Sequence, residues 1–361
     1  MSTRATLAVL PLGSRTLTLE DALLKPRPHE VVVEQTASGV CHSQLDQIEN
    51  PSRFGAPAAS RPVIMGHESV GTIVDVGTEV TEFEIGERVL VTWVPRTRTL
   101  DRLPVPSEVP LLNGDVAVTH NVFAWGTHTV VDELYVCRAP EGTPDDVGAV
   151  VGCAVMTGAG AVTNTAKVAA GDSVVVWGCG GVGLSAIAAA SISGAEPVIA
   201  VDVDDAKLAQ ARQFGATHTV NVRSEDPVAR IHELTTTQYT SGADYVFDCI
   251  AKPETIRSGL ASVRSSHVTR TPGGSVVLVG VPTQEVGLEG LDLVANEKRL
   301  IGCKGGNTVP EVDFDRLVGW HRNGTLNLDT LVTARYSLDR INEAVNDLRE
   351  GKIVGRGILV L

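Results

Sequence analysis

Aromatic side chains are scarce in this chain of 361 residues: Phe, Trp and Tyr make up 4%, against 43% hydrophobic residues overall. Its cores must therefore be packed mainly with Val, Ala, Leu and Ile. No run of Lys or Arg is present, and a formal charge of −13 repels phosphate backbones and anionic lipid alike. Nucleic acid and membrane surfaces are accordingly not expected as partners. Residues 1–12 lack the basic region followed by a long apolar segment that a secretory signal requires, which makes the cytoplasm the expected location. The six cysteines, at 41, 137, 153, 179, 249 and 303, include no Cys-x-x-Cys pair. In a reducing compartment they do not read as a disulfide framework, and are expected as metal ligands or small core residues. The 36 glycines follow no Gly-X-Y period, which excludes collagen. The longest apolar stretch, Val174 to Ala190, approaches the ~20 residues of a membrane span. Four glycines inside it argue instead for a strand, a tight turn and a packed helix.

What is present is enough chain for two domains, at about 150 residues each. Short β-branched runs at Glu30–Val33, Ser69–Val76 and Arg88–Trp93 alternate with Gly, Pro and acidic turn residues, the pattern of an irregular β region. After about residue 155 apolar strands at 173–177, 197–202, 219–222, 245–249 and 275–280 alternate with helical stretches at 183–193, 206–214 and 227–235. Strand and helix in repeated alternation predict a doubly wound parallel sheet. From about residue 304 the rhythm changes to helices at 314–322 and 338–350 and a last strand at 357–361. Between Pro95 and His120 four prolines and no clear period predict an extended surface loop.

The strand Val174–Trp177 runs directly into Gly178-Cys179-Gly180-Gly181-Val182-Gly183 and then a helix, the setting of a dinucleotide fingerprint. Gly178 would allow the tight turn, Gly180 the approach of a pyrophosphate, and Gly183 close packing of helix on strand, with free amides at the helix start facing the negative charge. At the end of the next strand Asp202 is placed to accept hydrogen bonds from the adenosine ribose hydroxyls. The same carboxylate would repel a 2′-phosphate, so NAD is expected rather than NADP. A turn or cap role for Asp202 is compatible with this. Lys207 is either a further ribose contact or a solvated helix lysine.

Cys41-His42-Ser43, Gly66-His67-Glu68 and Gly152-Cys153 precede this cradle. Two thiolates and an imidazole with a fourth position open suit a catalytic zinc, although each residue alone reads as an ordinary core cysteine or hydrogen-bonded histidine. With Gly39-Val40 before Cys41, Gly86-Glu87-Arg88-Val89, Thr157-Gly158, Gly280-Val281-Pro282 and Gly355-Arg356-Gly357, the chain resembles over its whole length the zinc-dependent medium-chain alcohol dehydrogenases of the medium-chain dehydrogenase/reductase superfamily. The resemblance implies a GroES-like β-rich catalytic domain built from both ends of the chain (1–154 and 304–361) around a Rossmann domain (155–303), with the active site in the cleft. It implies Cys41, His67 and Cys153 as zinc ligands and Glu68 as a carboxylate that approaches the metal during exchange. His42 and Arg356 become pyrophosphate contacts, Thr157, Val182 and Val281 neighbours of the nicotinamide, and Trp93 either a substrate-pocket or a core aromatic. Ser43 would pass the alcohol proton outward. The implied substrate is a small alcohol, aldehyde or ketone, and the implied assembly a homodimer, with a tetramer as the alternative.

Three departures stand out. Arg96–Leu112 contains none of the four cysteines that bind a structural zinc in many relatives, so one catalytic zinc and no structural zinc are expected. Asp46 stands where a histidine often ends the proton relay, and with a reference pKa of about 3.9 it is a weaker base there. Gln44 replaces an aspartate that often orients the histidine ligand, and loss of such a partner typically weakens metal affinity or activity about 10–100-fold. Other readings on the same scaffold are a reductase of carbon–carbon double bonds, a nicotinoprotein that retains its cofactor, and a non-catalytic nucleotide-binding protein.

Overall fold

A computed structural model describes residues 2–51, 60–96, 102–267 and 271–361. The first part of the chain forms β1 (Thr3–Leu10), β2 (Thr18–Leu24), β3 (Glu30–Val40), α1 (His42–Glu49), β4 (Val63–Ile64), β5 (Ser69–Val76), β6 (Arg88–Val91), β7 (Glu108–Pro110), β8 (Val116–Val118), β9 (His128–Asp132), β10 (Val136–Arg138) and α2 (Asp145–Val150). α2 continues without a break through π turns and α3 (Met156–Gly160) to Ala166. That 22-residue run is apolar enough to cross a membrane by length and composition, yet 89% of its most apolar window is buried inside the protein. Next come β11 (Val174–Trp177), α4 (Gly181–Ile192), β12 (Val198–Asp202), α5 (Asp205–Gln213), β13 (His218–Asn221), α6 (Pro227–Thr235), β14 (Tyr245–Asp248), α7 (Pro253–Ser262), β15 (Ser275–Leu278), α8 (Gly290–Ala295) and β16 (Arg299–Gly302). The chain ends with α9 (Pro310–Arg322), β17 (Val332–Ser337), α10 (Ile341–Arg349) and β18 (Arg356–Val360).

Contacts divide the chain into two compact units, residues 1–153 with 309–361 and residues 154–308. Residues 304–308, assigned on sequence grounds to the returning segment, stay with the second unit because they lie on α3. A Cβ at Gly160 would lie 2.4 Å from the Gly306 carbonyl oxygen, and the Thr308 hydroxyl donates to the Met156 carbonyl at 3.1 Å.

The second unit is a parallel sheet of order β13-β12-β11-β14-β15-β16. β11 is Val-Val-Val-Trp, buried at every position, as expected of a strand covered on both faces. In the first unit β3 is the hub. It pairs antiparallel with β5, β9 and β18, and its continuation from Val33 to Val40 exceeds the four residues foreseen because both edges are occupied. The pairing of Gly357 with Val40 brings Arg356, at the start of the last strand, to the Cys41 end of β3.

The expected loop between Pro95 and His120 is partly sheet. β7 and β8 form an antiparallel pair at the edge of the five-stranded sheet β2-β1-β4-β8-β7, with Val109, Leu111, Ala117 and Val118 buried. Strands of three residues are too short to show a period, and a proline fits an edge strand. Residues 97–101 of that loop lie outside the described residues. The remainder is held by ion pairs and hydrogen bonds. Arg102 reaches Asp132 Oδ2 at 2.5 Å and Glu133 Oε1 at 3.6 Å, and Ser107 Oγ donates to Glu30 Oε1 at 2.7 Å. Arg102→Ala removes the counter-ion of a buried carboxylate and is expected to lower stability by about 1–2 kcal/mol. Urea unfolding with an unchanged slope would show this as a lower midpoint, whereas an unmoved midpoint would mean the segment is held by other contacts.

Candidate active site

β3 ends at Val40, and Cys41 follows as the N-cap of α1. His67 lies in the short link between β4 and β5, and Cys153 in the π turns that follow α2. These elements, far apart in sequence, bring three donor atoms within 4.8 Å of one another. Cys41 Sγ and Cys153 Sγ are 4.0 Å apart, and His67 Nε2 lies 3.2 Å from Cys153 Sγ. A tetrahedral zinc with Zn–S of about 2.3 Å and Zn–N of about 2.0–2.1 Å spaces its ligands by about 3.8 Å (S···S) and about 3.6 Å (S···N). The donor set therefore fits a single zinc with one position open.

The electrostatics around these donors are those of a buried charge cluster. A hydrogen bond from Cys153 holds the Cys41 thiol well below its ordinary pKa against the penalty of burial, and Arg356 and His67 add to the effect. The same hydrogen bond, together with burial, pushes Cys153 up. Glu68 is raised, chiefly by burial, although Arg356 opposes the shift. Arg356, carried over as a pyrophosphate contact, donates here to Glu68 Oε1 and is 5% exposed. Burial disfavours its charge, but Cys41, Glu68 and Cys153 together keep its pKa well above the ordinary value.

Around the donors, Ser43 Oγ donates to Cys41 Sγ at 3.4 Å. Asp46, one turn further along α1, accepts from Asn50 Nδ2 at 3.0 Å, and His42 is exposed at the start of the same helix. Trp93 stands edge-on to His67, with ring centroids 6.5 Å apart. Gln44 is buried, and its Oε1 accepts from the Cys41 backbone N–H at 3.1 Å, while its Nε2 is buried with no partner among the described residues. Its accepting oxygen is thus spent on the first ligand's backbone and not on the histidine ring.

The cradle lies in the second unit. Gly178 adopts φ +89°, which a side chain rarely tolerates, and a Cβ at Gly183 would lie 1.8 Å from the Gly178 carbonyl oxygen. Among the described residues nothing lies within 4 Å of a Cβ built on Gly180, so this face of the turn has room for a ligand. Gly181 and Val182 begin α4. Asp202 Oδ2 accepts from Cys179 N at 2.7 Å, and Oδ1 accepts from Val203 N at 2.7 Å and Asp204 N at 3.1 Å. The turn role is realised, the N-cap of α5 being Asp204 instead, and a carboxylate with about four acceptor sites keeps capacity for ribose hydroxyls. Lys207 is half-buried on α5 and Val281 is exposed. Thr157 Oγ1 is buried on α3 with no partner among the described residues.

Residues 181–320 match the zinc-binding dehydrogenase family and residues 27–108 the alcohol dehydrogenase GroES-like domain. S-(hydroxymethyl)glutathione dehydrogenase of Paracoccus denitrificans is 30% identical, covering 99% of this chain and 100% of its own length. An NDMA-dependent alcohol dehydrogenase of Amycolatopsis methanolica is 31% identical, with 100% and 99% covered. The chain belongs to the zinc-dependent medium-chain alcohol dehydrogenases. Among solved structures, an alcohol dehydrogenase zinc-binding domain protein from Burkholderia ambifaria superposes with a TM-score of 0.88 at 27% identity, covering 100% of both chains. Benzyl alcohol dehydrogenase of Acinetobacter calcoaceticus gives 0.86 at 27%, covering 99% of both.

As an alcohol dehydrogenase, this chain transfers a hydride between an alcohol, or the corresponding carbonyl compound, and NAD. Two features of this dehydrogenase went unseen in its sequence. The ion pair of Glu68 with Arg356 joins residues 288 positions apart, a separation that carries no local signal. The π turns around Cys153 have no spacing signature either. Because no hydrogen bond reaches His67 Nδ1 among the described residues, Gln44→Asp is expected to slow zinc loss to a chelator about tenfold. The rate of metal transfer to a colorimetric chelator measures this, and an unchanged or faster rate would contradict it.

Proposed function

We propose that this dehydrogenase holds one catalytic zinc per chain and no structural zinc, uses NAD(H), and acts on primary or secondary alcohols and their aldehydes or ketones. The observation that carries the reading is the convergence of Cys41, His67 and Cys153 within 4.8 Å, with the Ser43 hydroxyl beside them. Zinc held there supplies a Lewis acid for negative charge on a substrate oxygen, and bound NAD supplies the hydride acceptor.

The chain's own residues do the rest in this reading. Ser43 takes the alcohol proton and passes it outward, and Asp46 receives it at the end of the relay. Glu68, buried beside Arg356, is the carboxylate available to the metal during exchange. Gly178, Gly180 and Gly183 allow the pyrophosphate to approach the free amides that open α4, with the exposed His42 as a charged partner, while Arg356 stays engaged with Glu68. Asp202 and Lys207 take the adenosine ribose, and Thr157, Val182 and Val281 flank the nicotinamide. Trp93 lines the substrate side of His67. The relatives' printed activities, on S-(hydroxymethyl)glutathione and on benzyl alcohol, put such alcohols into the first substrate panel.

A cytoplasmic homodimer completes the proposal. All six cysteines are free thiols, which suits a reducing compartment. Leu291 and Val294, 71% and 79% exposed on α8, offer apolar surface for a second copy to cover.

Metal analysis is expected to return one zinc per chain, and deuterium from a C1-deuterated alcohol is expected in the NADH formed. Cys41→Ala should retain its fold and lose the transfer. Absence of deuterium from the cofactor across an alcohol panel, with enals reduced instead, would overturn the reading. Asp202→Ala is expected to raise the Kd for NADH at least about tenfold, the cost of two charge-assisted hydrogen bonds, and to narrow the preference over NADPH. Fluorescence titration with both cofactors checks this, and an unchanged ratio of affinities would remove Asp202 from the ribose.

A further inference from the structure

Outside the donor set, one buried side chain ties together two of the segments that carry it. Trp125 is 0% exposed and packs with Val40, Ile48 and Met65 in the core of the first unit. Its indole Nε1 donates to the Gly39 carbonyl at 3.0 Å, two residues before Cys41. Its backbone N–H donates to the Met65 carbonyl at 2.9 Å, two residues before His67. The third side is closed by the Gly39 N–H and the Ser38 hydroxyl, which donate to the Glu68 carbonyl at 3.2 and 2.9 Å. Residues 38–41, 65–68 and 125 therefore form one closed circuit of hydrogen bonds. It has little slack. Gly66 sits at φ +96°, where a Cβ would lie 2.4 Å from the Trp125 backbone nitrogen, and a Cβ on Gly39 would lie 2.3 Å from Glu68 Oε1.

We propose that Trp125 is a positioning residue of the metal centre, setting the separation of Cys41 from His67 through the Gly39 and Met65 carbonyls. This rests on the reading of Cys41, His67 and Cys153 as zinc ligands. The reasoning is one of tolerances. Metal–ligand distances are fixed to about 0.2 Å, whereas an apolar core absorbs a small shift by repacking. Only one residue, Val40 or Gly66, separates each bonded carbonyl from its ligand, so a displacement at Gly39 or Met65 reaches the donor atom nearly undamped. A buried carbonyl left without its donor is destabilised where it stands, so loss of the indole bond should register in the metal site beyond what it costs the fold.

The test uses the full chain, stripped of metal and titrated with cobalt(II), whose thiolate charge-transfer and d–d absorption report ligand identity and geometry. Trp125→Phe removes the donor. A second variant carries at position 125 the benzothiophene analogue of tryptophan, which keeps the bicyclic shape and lacks the N–H, so that a packing defect in the first variant cannot decide the outcome. Phe123→Leu, equally buried and in a neighbouring apolar cluster, controls for stability. Both variants at 125 are expected to bind cobalt about tenfold more weakly with altered d–d bands. Phe123→Leu should lower Tm and leave affinity and spectrum unchanged. A position-125 analogue with wild-type affinity and spectrum would overturn the proposal. If the wild-type chain itself shows no thiolate-to-cobalt band, the ligand reading fails, and this inference with it.

Discussion

Two thiols, an imidazole and a carboxylate are crowded together at Cys41, Cys153, His67 and Glu68, and all but the half-buried imidazole lie in the interior. A protein interior does not hold such groups ionised without positive charge nearby. Arg356 supplies one such charge, buried against Glu68. With both thiols and Glu68 ionised, three negative charges face that single guanidinium, and a divalent cation brings the sum to zero. Much of the first unit's architecture can be understood from this need. β3 carries Cys41 inward, β18 returns from the far end of the chain to deliver Arg356, and the helical run after α2 presents Cys153.

Replacement of Asp by Gln at position 44 belongs to the same accounting. An aspartate there would add a fourth negative charge and leave the cluster with an excess. Gln44 instead caps the Cys41 amide without charge. A zinc held here without an anionic partner on its histidine would keep more of its own charge for the substrate oxygen, and weaker retention would accompany that gain.

Legibility in the sequence tracked the range of the interaction. Five of the six strands of the nucleotide unit could be read from their apolar runs, and the glycines of 178–183 must sit at one turn, whereas β16, Arg-Leu-Ile-Gly with no buried residue, lay at the sheet edge without such a run and was missed. The ligand set was legible only through its order along the chain, since nothing in the spacing of 41, 67 and 153 reports proximity. Trp125 gave no signal at all, as a buried aromatic in a β region is ordinary until its indole is seen on Gly39. The hairpin of β7 and β8 was hidden by its prolines and its length. Residues 304–308 group by contacts with the second unit and not with the returning segment, because Gly306 backbone and the Thr308 hydroxyl lie on α3, which leaves no apolar pattern in the sequence.

X-ray absorption at the zinc edge of the purified protein addresses the charge-balance account most directly. It predicts two sulfur neighbours at about 2.3 Å with one histidine nitrogen at about 2.0–2.1 Å and one further light atom. A shell containing only nitrogen and oxygen, or one sulfur, would contradict it.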